Sequence, residues 1–300
     1  MFSNHTHESH RAARFYRLAV VSMVPLLLPS CAHAQPTPSD SRVSIPLSDS
    51  SRPAVVKASV INGAIAVKAY DGKEVIVEAH PQVGREHEVA TGSPADSKES
   101  AKAADKKPKR VPMRGSGLTV EEENNRVHIS VPPFNTVDLS IMVPVRSSLI
   151  LRTVNGREIS VTGVEGELDV DNVNGSVSLT NVSGTVVAHA LNGRVLVSFN
   201  KINREKPMSF SSLNGDIDVT FPADLKANVT LSAQQGEVYS DFDVQLQKGG
   251  SQPKVEDARG RGGKYRVQMD RSVSAAINGG GQEMKFKTVQ GNIYLRKASK

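Results

Sequence analysis

Acids stand two residues apart at several points in this 300-residue chain, among them Glu165 with Glu167, Asp169 with Asp171, and Asp216 with Asp218. Residues i and i+2 of a β-strand share a face. Two carboxyl groups about 5–9 Å apart can run glycoside hydrolysis, one as acid and the other as nucleophile or base. Rows of acids could also hold calcium, but the glycine-aspartate nonapeptide of calcium-binding β-rolls is absent. Outward slots of a solvated strand are where acids stand by default, so these pairs read as surface residues. His80, His87, His128 and His189 show no paired metal-ligand spacing. No serine sits in a nucleophile elbow. Gly279-Gly280-Gly281 lacks the following Lys-Ser or Lys-Thr and the helix of a phosphate loop, and reads as a coil corner. The expectation is therefore no catalytic, cofactor-binding or metal-binding residue, no cofactor, and no enzyme.

The elements that would position such residues are announced by a recurring tetrad. Thr153-Val154-Asn155-Gly156 is followed by Asn172-Val173-Asn174-Gly175, Ala190-Leu191-Asn192-Gly193 and Ser212-Leu213-Asn214-Gly215. Glu165-Gly166 and Ser183-Gly184 are weaker copies between them. An earlier unit carries Asn62-Gly63, and later ones carry Asn278-Gly279 and Gln290-Gly291. A fixed period of this size marks a solenoid, in which each coil buries its face against its neighbours. Apolar residues stand second and fourth after most of these glycines, as in Leu168 and Val170, Val177 and Leu179, Ile217 and Val219. They share one face of a strand, while Glu167 and Asp169 or Ser176 and Ser178 share the other. After Gly156 the pair falls one place later, at Ile159 and Val161, which predicts a bulge at Arg157-Glu158.

Glycine at these corners is read as supplying positive φ. Asn-Gly between alternating strands would equally close two-residue hairpins of an antiparallel meander. The apolar residue before each Asn and the near-equal strand lengths favour stacked coils. Stacked at about 4.8 Å, the Asn amides would bond along the axis as a buried ladder. Val187 and Leu196 occupy outward slots; on one sheet face they would form a small patch for self-association. The last unit would leave an open edge guarded by Lys297 and Lys300.

Bulk properties agree with a thin stack. Aromatics are 4% and Trp is absent, few for a globular core of this length. The formal charge is +6; the leader's net of +2 leaves +4. No basic stripe interleaved with aromatics runs through the strands, so no nucleic-acid partner is expected. Residues 1–34 have the layout of a secretory signal: Arg11, Arg14 and Arg17, then the apolar run Leu18 to Leu28. Ala32-His33-Ala34 would release a soluble chain at Gln35. Leu28-Pro29-Ser30-Cys31 resembles a lipobox that would lipidate Cys31, with Pro29 departing from the pattern. An uncleaved anchor is the third outcome. Export to the periplasm or cell surface is expected, with membrane contact only through a lipid on Cys31. Residues 35–53 read as a flexible tether. Flexible insertions are expected at about 82–117 and 247–263 within a β-domain of 54–300.

Leu151-Arg152-Thr153-Val154-Asn155-Gly156, the later Asn-Val-Asn-Gly and Asn-Val-Ser-Gly units, and the ending Ile277-Asn278-Gly279-Gly280-Gly281 with Thr288-Val289-Gln290-Gly291-Asn292-Ile293-Tyr294-Leu295-Arg296-Lys297 resemble the bacterial putative-adhesin domain family of uncharacterised function. The likeness covers about 54–300 outside the insertions. It implies an all-β, β-solenoid-like stack of short strands in an exported or envelope protein, and no particular substrate. The Lys-rich insertion, and Gln235 and Gln290 where Asn is usual, depart from the pattern and leave any shared binding surface open. The combined reading is a non-enzymatic envelope protein with a binding or scaffolding surface for an envelope or surface partner, protein or glycan. The alternative is a carbohydrate-active β-helix enzyme using an acidic strand face.

Overall fold

A computed structural model describes residues 41–82, 117–247, 254–257, 265–268 and 272–299. All fall in one compact unit, Pro38–Lys300. Its described regular structure is entirely β. Twenty strands share one hydrogen-bonded sheet, and β18 (Lys254–Asp257) and β19 (Tyr265–Gln268) form a separate antiparallel pair.

The large sheet is folded into two faces. Each coil is a strand on face 1, a sharp corner, and a strand on face 2. Four coils come from β2 (Ala54–Asn62) and β3 (Ile65–Tyr70), β6 (Arg126–Ser130) and β7 (Val137–Pro144), β8 (Ser147–Asn155) and β9 (Glu158–Thr162), and β10 (Glu165–Asn172) with the first half of β11 (Ser176–Ala190). The 15-residue β11 then crosses to face 1, with Asn181 at φ 53° where the register shifts, and its second half pairs with the next coil. The remaining coils are that half with β12 (Val195–Ile202), β13 (Met208–Asn214) with β14 (Ile217–Phe221), β15 (Ala227–Ala233) with β16 (Val238–Ser240), and β21 (Gln282–Gln290) with β22 (Ile293–Lys297).

Neighbouring coils pair in parallel on both faces. The strands flanking the Asn-Gly pairs at Asn62, Asn155, Asn174, Asn192 and Asn214 lie on different faces, so these corners join the two strands of one coil and close no hairpins. Within the large sheet, the described antiparallel strands are confined to the two ends. There β5 (Thr119–Glu123) pairs with β6, β1 (Ser41–Pro46) and β4 (Glu74–Pro81) extend face 2 beyond β7, and β20 (Val273–Ile277) and β17 (Val244–Leu246) extend face 1 beyond β15.

The coils do not stack in chain order. β2/β3 lies inside β6/β7, between that coil and β8/β9. At the other end β21/β22 is inserted between β13/β14 and β15/β16. The last unit is therefore interior, and the expected open edge at Lys297 is absent from it. Core shape accounts for this order. Phe210 of β13 stacks on Phe286 of β21 at 5.0 Å on face 1, and Phe199 of β12 stacks on Phe221 of β14 at 5.2 Å on face 2. Edge-to-face contacts link the two stacks. β15 offers the smaller Val229 and Leu231 and sits outside them. The remaining core is mostly Val, Ile, Leu and Ala, with Met208, Met284 and Phe242, each large side chain contributing about 1.5–3 kcal/mol by burial.

Two further expectations fail here. Residues 41–53 were expected in a tether, yet β1 pairs with β4 and the following turn is pinned by Asn125. Asn125 is 3% exposed; its Oδ1 accepts Asp49 N at 2.7 Å and its Nδ2 donates to Asp49 O at 2.5 Å. A composition rich in Pro and Ser hides a strand whose order comes from a distant partner. Val187 lies on face 1 and Leu196 on face 2, so they form no common patch. The insertion at 82–117 lies almost wholly outside the described residues, as do the leader and Cys31. The second insertion contains β18.

Candidate functional site

The corners of the stack form two ladders. Asn155 Nδ2 donates to Asn62 Oδ1 at 3.0 Å, Asn174 to Asn155 at 3.0 Å, Asn192 to Asn174 at 2.9 Å and Asn214 to Asn192 at 2.7 Å. Asn62 continues the chain to Pro133 O at 3.0 Å. The ladder runs as expected but lies at the surface, not in the core. Gln290 stands opposite Asn214 in the sheet register, and Gln235 donates its backbone N–H to Val289 O. Asn278-Gly279 lies outside this series: it forms the turn after β20, where Asn278 has φ 49° and bonds Leu225 O.

Beside the amides runs a column of glycines. A Cβ on Gly156 would stand 2.4 Å from Gly63 O; on Gly175, 2.0 Å from Gly156 O; on Gly193, 2.2 Å from Gly175 O; on Gly215, 2.2 Å from Gly193 O. Gly291 and Gly236 continue the column, and Gly63 meets Val137 O at 1.9 Å. Positive φ is not the reason at Gly156, Gly175, Gly193 or Gly215, none of which has it. Close approach of stacked backbones is what excludes a side chain there. The first residue of the tetrad has a role too. The buried hydroxyls of Thr153, Ser212 and Thr288 donate to the glycine carbonyls of Gly63, Gly193 and Gly215. Arg157 is the extra corner residue, since Glu158 rather than Arg157 pairs with Ser176.

Register turns the outward residues of face 1 into rows. One row runs Arg152, Asp171, His189, Ser211, Lys287, one residue from each of five successive coils. Its neighbour runs Ile150, Asp169, Val187, Ser209, Lys285. Arg152 bridges Asp169 at 2.7 Å and Asp171 at 3.4 Å, and Lys206 pairs with Glu167. His189 Nδ1 lies 2.7 Å from Ser211 Oγ. A third row, Ile61, Val154, Val173, Leu191, Leu213 and Val289, is apolar and borders the Asn ladder. At a spacing of about 4.8 Å its six positions span about 24 Å.

Sequence reasoning placed these residues on surface strands but did not bring Asp171, His189 and Ser211 together. They are each three residues before a corner Asn, so aligning the repeats on Asn would have found them. Their order is that of an acid, a base and a hydroxyl. Acyl transfer also needs aimed N–H donors for an oxyanion. Around this row the backbone N–H groups are engaged in the parallel ladders. The acid pairs are likewise engaged: Asp216 accepts Asn292 N at 2.8 Å, and Asp218 accepts Arg296 Nε at 2.7 Å. What the arrangement offers is a flat lattice of fixed charges, hydroxyls and one apolar rail.

Residues 150–296 match the family model described as Toastrack DUF4097. The matched stretch begins within β8 and ends within β22, so it holds the Asn ladder from Asn155 onward and the whole of the Arg152–Lys287 and Ile150–Lys285 rows. Two solved structures are similar to this chain over most of its length. One is a "putative cell adhesion protein" from Clostridium sporogenes, 9% identical, covering 87% of this chain and 100% of that one with a TM-score of 0.38. The other is a "putative adhesin" from Bacteroides fragilis, 12% identical, covering 88% and 99% with a TM-score of 0.30. No curated protein matches this chain significantly.

Proposed function

We propose that the chain is an exported, non-enzymatic envelope protein whose face 1 rows form a binding or scaffolding surface for an extended partner at the bacterial periplasm or cell surface. The observation that carries this reading is the repetition of like-placed side chains at the coil spacing, from Arg152 to Lys287 and from Ile150 to Lys285. A lattice of that kind meets a long partner at several points at once, and linked weak contacts multiply into useful affinity. The signal-like leader at 1–34 supports the location, with release after Ala34 or lipidation at Cys31 as the two exits. Lys285 and Lys287 are exposed, have Ser209, Ser211, Thr230 and Ser232 beside them, and are in no ion pair among the described residues. They favour an anionic partner.

The mature chain should co-sediment with isolated bacterial envelopes. Replacing Lys285 and Lys287 by Glu should lower the retained fraction at least about tenfold at low salt, because attraction becomes repulsion. Retention unaffected by the double swap would contradict the assignment of the surface. No retention of either protein would contradict the envelope role.

A further inference from the structure

The outward row of face 2 changes character at its end. Ser160, Ser178, Leu196 and Asp218 are followed by Tyr294 and Tyr239, the last two strands of that face. The two rings stack with centroids 5.1 Å apart and planes 7° from parallel. Both hydroxyls are held. Tyr239 donates to Glu237 Oε2 at 2.5 Å, and Asn292 Nδ2 donates to the Tyr294 oxygen at 3.1 Å. The Glu237 carboxylate keeps the Tyr239 phenol protonated beyond its usual range. Arg296 stands 5.2 Å over the Tyr294 ring, and its Nε donates to both oxygens of Asp218 at 2.7 and 2.9 Å.

Beside the rings is an open cavity of about 190 Å³ lined by Tyr239, Asp241, Tyr294, Leu295 and Arg296. Asp241 is fixed at its edge by its own backbone N–H to Leu295 O and by Lys297 N to its Oδ2 at 3.1 Å. No described strand pairs with β16 beyond β22, and Tyr239 is 46% exposed. The ring face that points away from Tyr294 is thus free among the described residues.

An immobilised aromatic face next to one carboxylate and one guanidinium selects a particular kind of ligand. It must present a flat patch of C–H groups to the ring and hydroxyls to the two charged groups. A pyranose does both. The cavity is smaller than the about 300–1,000 Å³ of drug-sized sites, which suits a single ring. We propose that Tyr239, Tyr294, Asp241 and Arg296 form a subsite for one neutral pyranose unit of a glycan. The C–H face of the sugar packs on Tyr239, Asp241 accepts from a ring hydroxyl, and the N–H groups of Arg296 not used by Asp218 donate to a second. The site is on face 2 and stands on its own residues; it rests on the envelope reading only for where such a glycan is met.

The test uses the full mature chain with ¹³C-labelled tyrosine rings, titrated with the methyl pyranosides of glucose, galactose and N-acetylglucosamine. At least one should shift the ring signals of Tyr239 and Tyr294 at millimolar concentration while Tyr70 stays unmoved. Tyr239→Ala should abolish the Tyr294 response, or weaken binding at least about tenfold, and Tyr239→Phe should keep it. Arg296→Gln supplies a second variant if Tyr239→Ala fails to fold. Absence of ring shifts with all three sugars overturns the proposal, as does a response that survives both Tyr239→Ala and Arg296→Gln. Self-association lost in Tyr239→Ala without a sugar response overturns it too, assigning the edge to a second copy. Envelope retention that depends on Lys285 and Lys287 but not on Tyr239 would leave the face 1 reading standing while refuting this one.

Discussion

Gly193 separates two physical reasons for a corner glycine. It lacks positive φ, so Ala there adds no conformational strain. It does add a Cβ 2.2 Å from Gly175 O, 2.4 Å from Gly175 C and 2.8 Å from Ser176 N, all backbone atoms of the coil beneath. Relief to about 3 Å requires the coils to part locally by about 0.8 Å, since shorter contacts are essentially never tolerated. The ladder bond from Asn192 to Asn174, now 2.9 Å, would then stretch beyond hydrogen-bonding range. Overpacking costs about 1–3 kcal/mol and a lost amide bond about 0.5–1.5 kcal/mol. Gly193→Ala should therefore destabilise by about 2–4 kcal/mol, read as a lowered urea midpoint at unchanged slope. Gly279→Ala is the control. It has φ +84° and nothing within 4 Å of an added Cβ, so its cost is backbone strain alone, about 1–2 kcal/mol. A cost for Gly193→Ala at or below that of Gly279→Ala would refute close approach as the reason for the glycine column.

Other expectations concern single contacts. Asn192→Ala removes two ladder bonds, to Asn174 and from Asn214, and should cost about 1–2 kcal/mol, against about zero for Ser178→Ala; equal urea midpoints would remove the ladder from the account. Arg152→Ala breaks exposed ion pairs to Asp169 and Asp171 and should cost less than about 1 kcal/mol, mostly removed by 1 M salt. The Asp49 carboxylate is held below its ordinary value of 3.8 by hydrogen bonds from Ser51 and by Arg52, and Glu122 below 4.5 by hydrogen bonds from Ser48 and Asn125. Depressed values mean that this stabilisation is complete above the ordinary range and is lost as pH falls through the lowered values. Amide protection factors in the turn after β1, corrected for the intrinsic pH dependence of exchange, should fall on acidification below about pH 4, before those in β10 or β11 do; simultaneous loss would contradict a local effect.

The repeat was legible because its corners carry the same two residue types at nearly constant spacing. Its period led directly to parallel coils and to an Asn ladder. The reason for the glycines was not legible, because positive φ and close backbone approach both select glycine and differ only in what lies beneath. The order of the coils was hidden for a similar reason. Thr288-Val289-Gln290-Gly291 would fill any level of the stack, and only the match of Phe286 to Phe210 chooses one. β1 was hidden by composition: Val43 and Ile45 alternate over too short a run, and the strand exists through β4. The Asp171, His189 and Ser211 row was readable in principle, from the shared offset before each corner Asn. The Tyr239 and Tyr294 stack was not, since the residues are 55 apart in the chain and meet only because the last coil is inserted.

That insertion is also the most direct point at which to test the fold as a whole. In a Cys31→Ser background, Asn214→Cys with Gln290→Cys places the thiols on adjacent strands of face 1, within the about 4.4–6.8 Å Cα separation that a disulfide spans. Asn214→Cys with Gln235→Cys places them on either side of β21, about two strand spacings apart. Mild oxidation and mass mapping should give a 214–290 bridge in the first protein and none at 214–235 in the second. A bridge at 214–235 without one at 214–290 would mean that the coils follow chain order, and would contradict the stack described above.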